Sequence, residues 1–256
     1  MDKQNLLFNL DDTLVECNKY FKMVIDQFAN VMVDWFREYH ITREQVKQKQ
    51  LELDLASVAQ NGITSKHFPQ SFVDTYAYFC ASTGRSVDRL LAEQLEHLGK
   101  SVYDYVAEPL PDMYETLNQL KQDGHALFLH TAGDEAIQKK KIAQLELSVY
   151  FENRIFISRY KNTEALGRIV AEMHFEPTET WMIGNSLRTD IVPGLELGVQ
   201  VIYIPAPQEW QYNLTEINLV PTGAFLTLPS LKLVPAAIRE YVGQNSSYKI
   251  KGGSYT

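Results

Sequence analysis

Beyond Gly124 the sequence alternates between two periods. Short apolar runs at 126–131, 154–158, 180–184 and 200–204 are separated by stretches of helical spacing at 135–145 and 163–173. Apolar runs this short suit parallel strands buried on both faces. Their alternation with helices predicts an α/β fold, a Rossmann-like parallel sheet with helices on both faces. A helix at 112–122, stopped near Gly124, leads into this region. A strand at 225–228 and a helix at 231–242 close it. The polar stretch 243–256, with its Gly and Ser residues, is expected to be mobile.

One more strand comes first, at 5–10, where Leu6, Leu7 and Phe8 give way to Asn9, Leu10, Asp11, Asp12 and Thr13. The character then changes from about 18 to 107. Tyr20, Phe21, Val24, Ile25, Phe28, Val31, Met32, Trp35 and Phe36 recur at helical spacing. Thr42 and Gln45 have the form of a capping box opening a second helix toward Gln60. Pro69 suits the first turn of a third helix and Ser86 the N-cap of a fourth. The predicted division is a core domain, 1–16 and 108–256, interrupted by a helical cap domain, 17–107. The aromatic stripe Tyr20, Phe28, Trp35 and Phe36 is assigned to the core of the insertion. The insertion is expected to act as a lid at the carboxyl edge of the sheet. Lys66, His67, Phe68 and Arg85 lie in its interhelical loops.

Charge and composition exclude several classes of function. The 256 residues carry 24 Lys plus Arg against 32 Asp plus Glu, a net charge of -8. That balance argues against nucleic acid as a partner, which would call for a basic patch or stripe. No apolar run approaches the ~20 residues of a membrane-spanning helix, so no membrane partner is expected. The N-terminus lacks the apolar stretch of a signal peptide, and Cys17 and Cys80 form neither a disulfide framework nor a metal-binding pair. A cytoplasmic location follows as the expectation, for a monomer or homodimer. The six His residues show no spacing that supports a zinc site.

Ligands of an open α/β sheet bind outside the carboxyl ends of its strands. The first strand ends in Asn9, Asp11, Asp12 and Thr13, and the second in Thr131, Ala132, Gly133 and Asp134. Lys161 follows the third. Gly184, Asn185 and Ser186 end the fourth, with Asp190 shortly after. Taken singly, each residue is as well explained as a helix cap, a turn residue or solvated surface. Together they supply carboxylates, a hydroxyl beside main-chain N–H groups and one ammonium, a set suited to a phosphate and a hard divalent cation. Asp12 and Thr13 are expected to shape the turn, Asp134 to cap the following helix, and His130 to pack within its strand. For Arg188, a place near the mouth of the site and a bland role in surface or inter-loop pairing are equally open.

In chain order, FNLDDTL, then LFLHTAGD, then Lys161, then MIGNSLRTD resembles the four motifs of the haloacid dehalogenase (HAD) superfamily, over about residues 5–205. The insertion resembles that family's helical C1 cap. The resemblance implies phosphoryl transfer from a small phosphorylated metabolite through an aspartyl-phosphate, with Mg²⁺ as cofactor. Position 9 would be the nucleophile, Asp11 the general acid and base, and Lys161 a charge-balancing catalytic residue. Thr131, Ala132, Lys161 and Asn185 would bind substrate. The side chain at 9, the Asp11 carbonyl and Asp190 would hold the metal. The departure is at the nucleophile itself, which is Asn9 where the family pattern has Asp; Asn185 in place of Asp is a milder one.

Three readings follow. The first is a Mg²⁺-dependent phosphatase, here in a form whose nucleophile is replaced by Asn9. The second is a natural pseudoenzyme that binds a phosphorylated ligand without turnover; Asn9 favours it, and the presence of Asp11, Thr131, Lys161 and Asp190 opposes it. The third is a haloacid dehalogenase, which Asp11 argues against, because halide departs without a proton.

Overall fold

Leu6, Leu7 and Phe8, all fully buried, form the heart of a six-stranded sheet. The computed structural model describes residues 2–251, with side chains through 244. Its strands are β1 (Asn5–Phe8), β2 (Ala126–Ala132), β3 (Ile155–Ser158), β4 (Thr180–Gly184), β5 (Gln200–Tyr203) and β6 (Phe225–Thr227). They lie in the order β3-β2-β1-β4-β5-β6. β1 runs parallel to both β2 and β4, and the β4–β5 and β5–β6 pairs are parallel too. The alternation of side chains splits the core into two layers. Leu6 and Phe8 pack with Leu127, Leu129, Trp181 and Ile183 on one face; Leu7 packs with Phe128, Met182 and Val201 on the other. A slip of one residue would exchange the two layers, so the register is strongly specified. The fold is the α/β arrangement expected from the alternation.

The helices are α1 (Asn18–Trp35), α2 (Arg43–Asn61), α3 (His67–Thr83), α4 (Arg89–Lys100), α5 (Met113–Gln122), α6 (Glu135–Gln144), α7 (Ser148–Phe151), α8 (Thr163–Glu172), α9 (Val192–Glu196) and α10 (Val234–Lys251). Among the described residues none is long and apolar enough to cross a membrane. The chain divides into one unit of Met1–Glu16, Ala107–Thr131 and Lys141–Thr256, and a second of Cys17–Val106 with Ala132–Lys140.

Four local expectations are corrected. His67 and Phe68, expected in an interhelical loop, are the first two residues of α3. β1 stops at Phe8, short of residue 10, because the Leu10 carbonyl accepts N–H groups from Leu14 at 2.8 Å and Val15 at 3.0 Å and turns the chain back. The N-cap of α4 is Asp88, whose carboxylate accepts from the N–H groups of Leu90 and Leu91; Ser86 lies outside the helix. A carboxylate is also the better charge for a helix N-terminus. The last helix, expected over 231–242, is α10, which starts at Val234 and runs through Gly243 as far as Lys251. Residues 252–256, the end of the stretch expected to be mobile, lie outside the described residues.

In the second unit the predicted capping box is formed, with Thr42 Oγ1 accepting from Gln45 N and Gln45 Oε1 from Thr42 N. The aromatic stripe is core: Phe28 stacks on Phe72 with centroids 4.0 Å apart, and Phe36 is fully buried. The buried stripe of α2 is Val46, Gln50, Asp54 and Val58. Gln50 donates to Ser71 Oγ at 2.9 Å. Burial alone pushes the Asp54 carboxyl up to about 7.

That shift has a signed consequence. Between the unfolded value of 3.8 and about 7 the folded chain holds a proton that the unfolded chain has lost. Stability therefore falls as pH rises through this window. Between pH ~5 and ~8 the contribution of Asp54 is expected to fall by roughly 2–3 kcal/mol. Urea unfolding of Asp54→Asn should show a shallower pH dependence by that amount. Parallel pH profiles for variant and parent would mean that Asp54 is not neutral in the folded protein.

Candidate active site

Where β1 ends, the Asn9 N–H still pairs with the Ile183 carbonyl at 2.9 Å, holding position 9 beside the end of β4. The chain then turns through Asp12, whose φ of 55° lies in the left-handed region that Asp tolerates better than most residues. The turn gathers oxygens around one atom. Asn9 Nδ2 donates to the Asp11 carbonyl at 2.7 Å, to Asn185 Oδ1 at 2.8 Å and to Thr13 Oγ1 at 3.3 Å. Thr13 Oγ1 donates in turn to Asn185 Oδ1 at 3.2 Å. Thr13 therefore shapes the turn and also lines the site.

The other side of the Asn9 amide faces Lys161. Its Nζ donates to Asn9 Oδ1 at 2.9 Å and lies 2.5 Å from Asp190 Oδ1, with both charged side chains almost wholly buried. Burial pushes the Lys161 ammonium below its ordinary range, while Asp190 pulls it back up. Asp190 arrives from a single π turn, Leu187–Ile191, opened by Ser186, whose Oγ accepts from Thr189 N. The Ser186 N–H donates to Asp190 Oδ2 at 3.0 Å. Gly184 makes this approach possible, since a Cβ there would lie 2.1 Å from Asp190 Oδ2.

Asn185 is held from a direction the sequence did not indicate. Its Nδ2 donates to Glu209 Oε1 at 3.1 Å and Oε2 at 3.4 Å. Glu209 also accepts from Asn213 Nδ2 at 2.6 Å and Trp210 N at 3.2 Å. Burial raises its carboxyl above the ordinary range, opposed by these donors. Arg188 is exposed; it donates to the Tyr212 and Leu214 carbonyls and lies over the Tyr212 ring, which is an inter-loop pairing. Glu209 follows β5, at the same carboxyl edge as the other site residues. Its signal in the sequence is its place after the fifth strand.

Asp11 points its carboxylate to Lys141 Nζ on α6, at 2.6 Å. Thr131 is fully buried near the end of β2, and Ala132 is the last residue of that strand. Position 9, Asp11, Lys161, Asn185 and Asp190 are thus joined in one network. Direct contact links Asn9 with Asn185 and Lys161, whereas Asp190 sits across Lys161. His130 packs within β2, its Nε2 against Ser158 Oγ at 3.2 Å, and burial pushes its imidazole well below the ordinary range. Asp134 precedes α6 and accepts from the Ser65 N–H at 2.8 Å and from the Ser65 hydroxyl. In the helical unit, Arg85 donates to the Trp35 carbonyl and covers the Phe36 ring, and His67 Nδ1 meets Ser57 Oγ at 2.8 Å. These contacts give Arg85 a structural task.

The cation implied by the family resemblance can be tested against this donor set. The Asp11 carbonyl, Asn185 Oδ1 and Thr13 Oγ1 are the hard oxygens that Mg²⁺ favours, but the atom at their centre is the Asn9 amide nitrogen. Turning the amide over would press its NH₂ against the Lys161 ammonium, donor against donor. Two nearby carboxylates are already ion-paired, Asp11 with Lys141 and Asp190 with Lys161, and the third, Glu209, accepts from Asn185, Asn213 and Trp210. Among the described residues no cluster of three His, Cys, Asp or Glu side chains is arranged for a metal. With an amide at position 9, the donor set does not fit Mg²⁺.

A parallel sheet carrying Asn9, Thr131, Lys161 and Asp190 at its carboxyl edge defines a hydrolase of the HAD type. The profile of the haloacid dehalogenase-like hydrolases matches residues 6–204, and the chain belongs to that family. It is similar to the pyrimidine 5'-nucleotidase PynA of Streptococcus pneumoniae, with 26% identity over 214 residues, 77% of this chain and 82% of that protein. Among solved structures, it resembles a haloacid dehalogenase-like hydrolase from Xanthomonas campestris with a TM-score of 0.76 and 24% identity, covering 96% of this chain and 94% of the other. It also resembles the HAD-hydrolase YfnB of Bacillus subtilis, bound to magnesium, with a TM-score of 0.62 and 18% identity, covering 93% and 99%.

Proposed function

We propose that this chain binds the phosphate group of a small phosphorylated metabolite where β1, β2 and β4 end, and that Asn9 blocks its hydrolysis. The observation that carries this reading is the side chain at position 9. It is held between Lys161 and Asn185, with Asp11 two residues on, where a carboxylate would be aimed for attack on phosphorus. Thr131 and the main-chain N–H of Ala132 are assigned to the phosphoryl oxygens, and Lys161 offsets their charge. Asp11, whose carboxylate Lys141 holds two residues on from Asn9, is assigned as the general acid and base at the leaving alkoxide. An amide cannot provide the covalent step. A carboxylate at 9 would offer one oxygen to Lys161 and leave the other, with the Asp11 carbonyl, for Mg²⁺, the cofactor assigned to that form; Asp190, the further metal residue assigned from the sequence, is taken up by Lys161.

The similarity to a pyrimidine 5'-nucleotidase makes a pyrimidine nucleoside monophosphate the first substrate to try. Cys17 and Cys80 form no disulfide, which suits a reducing compartment such as the cytoplasm. Calorimetry of the unaltered chain is expected to show binding of at least one monophosphate from a panel of nucleotides and sugar phosphates. The matching phosphate-free compound should bind at least ~10-fold more weakly, the equivalent of about 1.4 kcal/mol. Equal binding with and without the phosphate would sink the reading.

One observation favours a pseudoenzyme. The Asn9 amide is matched on both sides, its oxygen by an ammonium and its nitrogen by three oxygens. That is the pairing expected of a site built around an amide. It also predicts ligand binding without turnover.

A further inference from the structure

We propose that Lys161, Asn9, Asn185 and Glu209 form a one-way hydrogen-bond relay in which Asn9 Nδ2 takes the place of a cation among three oxygens and Glu209 fixes the direction. Lys161 is a donor only, so Asn9 must present Oδ1 to it, at 2.9 Å. Asn9 Nδ2 is thereby turned toward the Asp11 carbonyl, Thr13 Oγ1 and Asn185 Oδ1. Asn185 is fixed from the far end. An ionised carboxylate only accepts, so Glu209 draws Asn185 Nδ2 to itself and leaves Oδ1 facing position 9. Asn213 and Trp210 hold Glu209, and Arg188 pins the following loop at Tyr212 and Leu214. Glu209 is thus a positioning residue acting through Asn185. The inference holds whichever ester the chain binds, and its test uses no ester.

The relay sets an unusual expectation for Asn9→Asp. In the metal-free protein a carboxylate oxygen would replace Nδ2 and face the Asp11 carbonyl and Asn185 Oδ1, acceptor against acceptor. Asn185 cannot relieve this by turning over, because its oxygen would then face Glu209. A divalent cation relieves it. Melting of the unaltered chain should be the same in EDTA and in millimolar MgCl₂, and Mn²⁺ titration followed by electron paramagnetic resonance should show no tight site. Asn9→Asp should melt roughly 4–8 °C lower in EDTA, recover with MgCl₂ and bind Mn²⁺.

Adding Glu209→Gln to Asn9→Asp frees Asn185 to turn over and donate to the new carboxylate. The double variant should therefore melt higher than Asn9→Asp in EDTA and bind Mn²⁺ about 10-fold more weakly. A purely structural Glu209 would instead give a lower melting point in EDTA. Tight Mn²⁺ binding by the unaltered chain, which requires no variant to fold, overturns the proposal. Asn9→Asp as stable as the parent in EDTA overturns it too.

Discussion

Asn9→Asp is expected to convert a chain with little or no phosphatase activity into a Mg²⁺-dependent one, with a gain of at least ~10³-fold on its best ester. Each power of ten corresponds to about 1.4 kcal/mol of barrier, so this asks the new carboxylate for roughly 4 kcal/mol. That is a modest demand on a residue that opens a covalent route. The surroundings are already in place. Lys161 lies 2.9 Å from the oxygen of the side chain at 9, and Lys141 steadies Asp11 at 2.6 Å. In the Asn9→Asp protein, a further Asp11→Asn change should remove ~10²–10⁴-fold of the rate, the range of general acid–base catalysis. The measurement is phosphate release from a panel of nucleoside monophosphates and sugar phosphates with and without MgCl₂. A folded, Mn²⁺-binding Asn9→Asp protein that is silent across the panel would leave the pseudoenzyme reading standing. Equal rates for parent and variant would show that position 9 is not the nucleophile.

Lys161→Met is expected to give the largest loss of stability of any single change at the site. It removes the ammonium and leaves Asp190, which is fully buried, with no opposite charge at 2.5 Å. Breaking a buried pair from one side typically costs about 3–5 kcal/mol, which for a chain of this size means roughly 10 °C in melting temperature. The diagnostic is the double variant Lys161→Met with Asp190→Asn. Neutralising the orphaned carboxylate should restore a good part of the loss, because most of it is the burial of an unpaired charge and not the absence of the bond. Additive losses in the two single variants would refute this account. Urea denaturation of all four proteins at neutral pH measures it directly.

Most of the fold was legible because the signals are local. The strand at 180–184 and the start of the helix at 163 fall at the residues their local patterns predict, since a short apolar run and a period of 3.6 need no partner to be recognised. The Thr42 capping box depends only on neighbours three residues apart. The errors lie where one local signal competes with another. Ser86 and Asp88 both suit a helix cap, and the chain chose the carboxylate. Gly243 and the polar residues after it have the composition of a tail, but α10 continues as far as Lys251.

For the site, the sequence by itself determined which chemical groups gather at the carboxyl edge of the sheet. In a parallel sheet every strand end falls on that edge, so Asn9, Thr131 and Asn185 could be named from order alone. Only the tertiary structure decided which of them touch. Asn185 stands against Asn9, Asp190 lies across Lys161, and Lys141 reaches Asp11 from 130 positions away. The direction of each amide was likewise settled only in space. Asparagine presents an oxygen on one side and an NH₂ on the other, and the choice rests on a lysine 152 positions from Asn9 and a glutamate 24 positions from Asn185. Hydrogen-bond polarity belongs to the assembled network, because a donor is oriented only by the acceptor that folding brings to it.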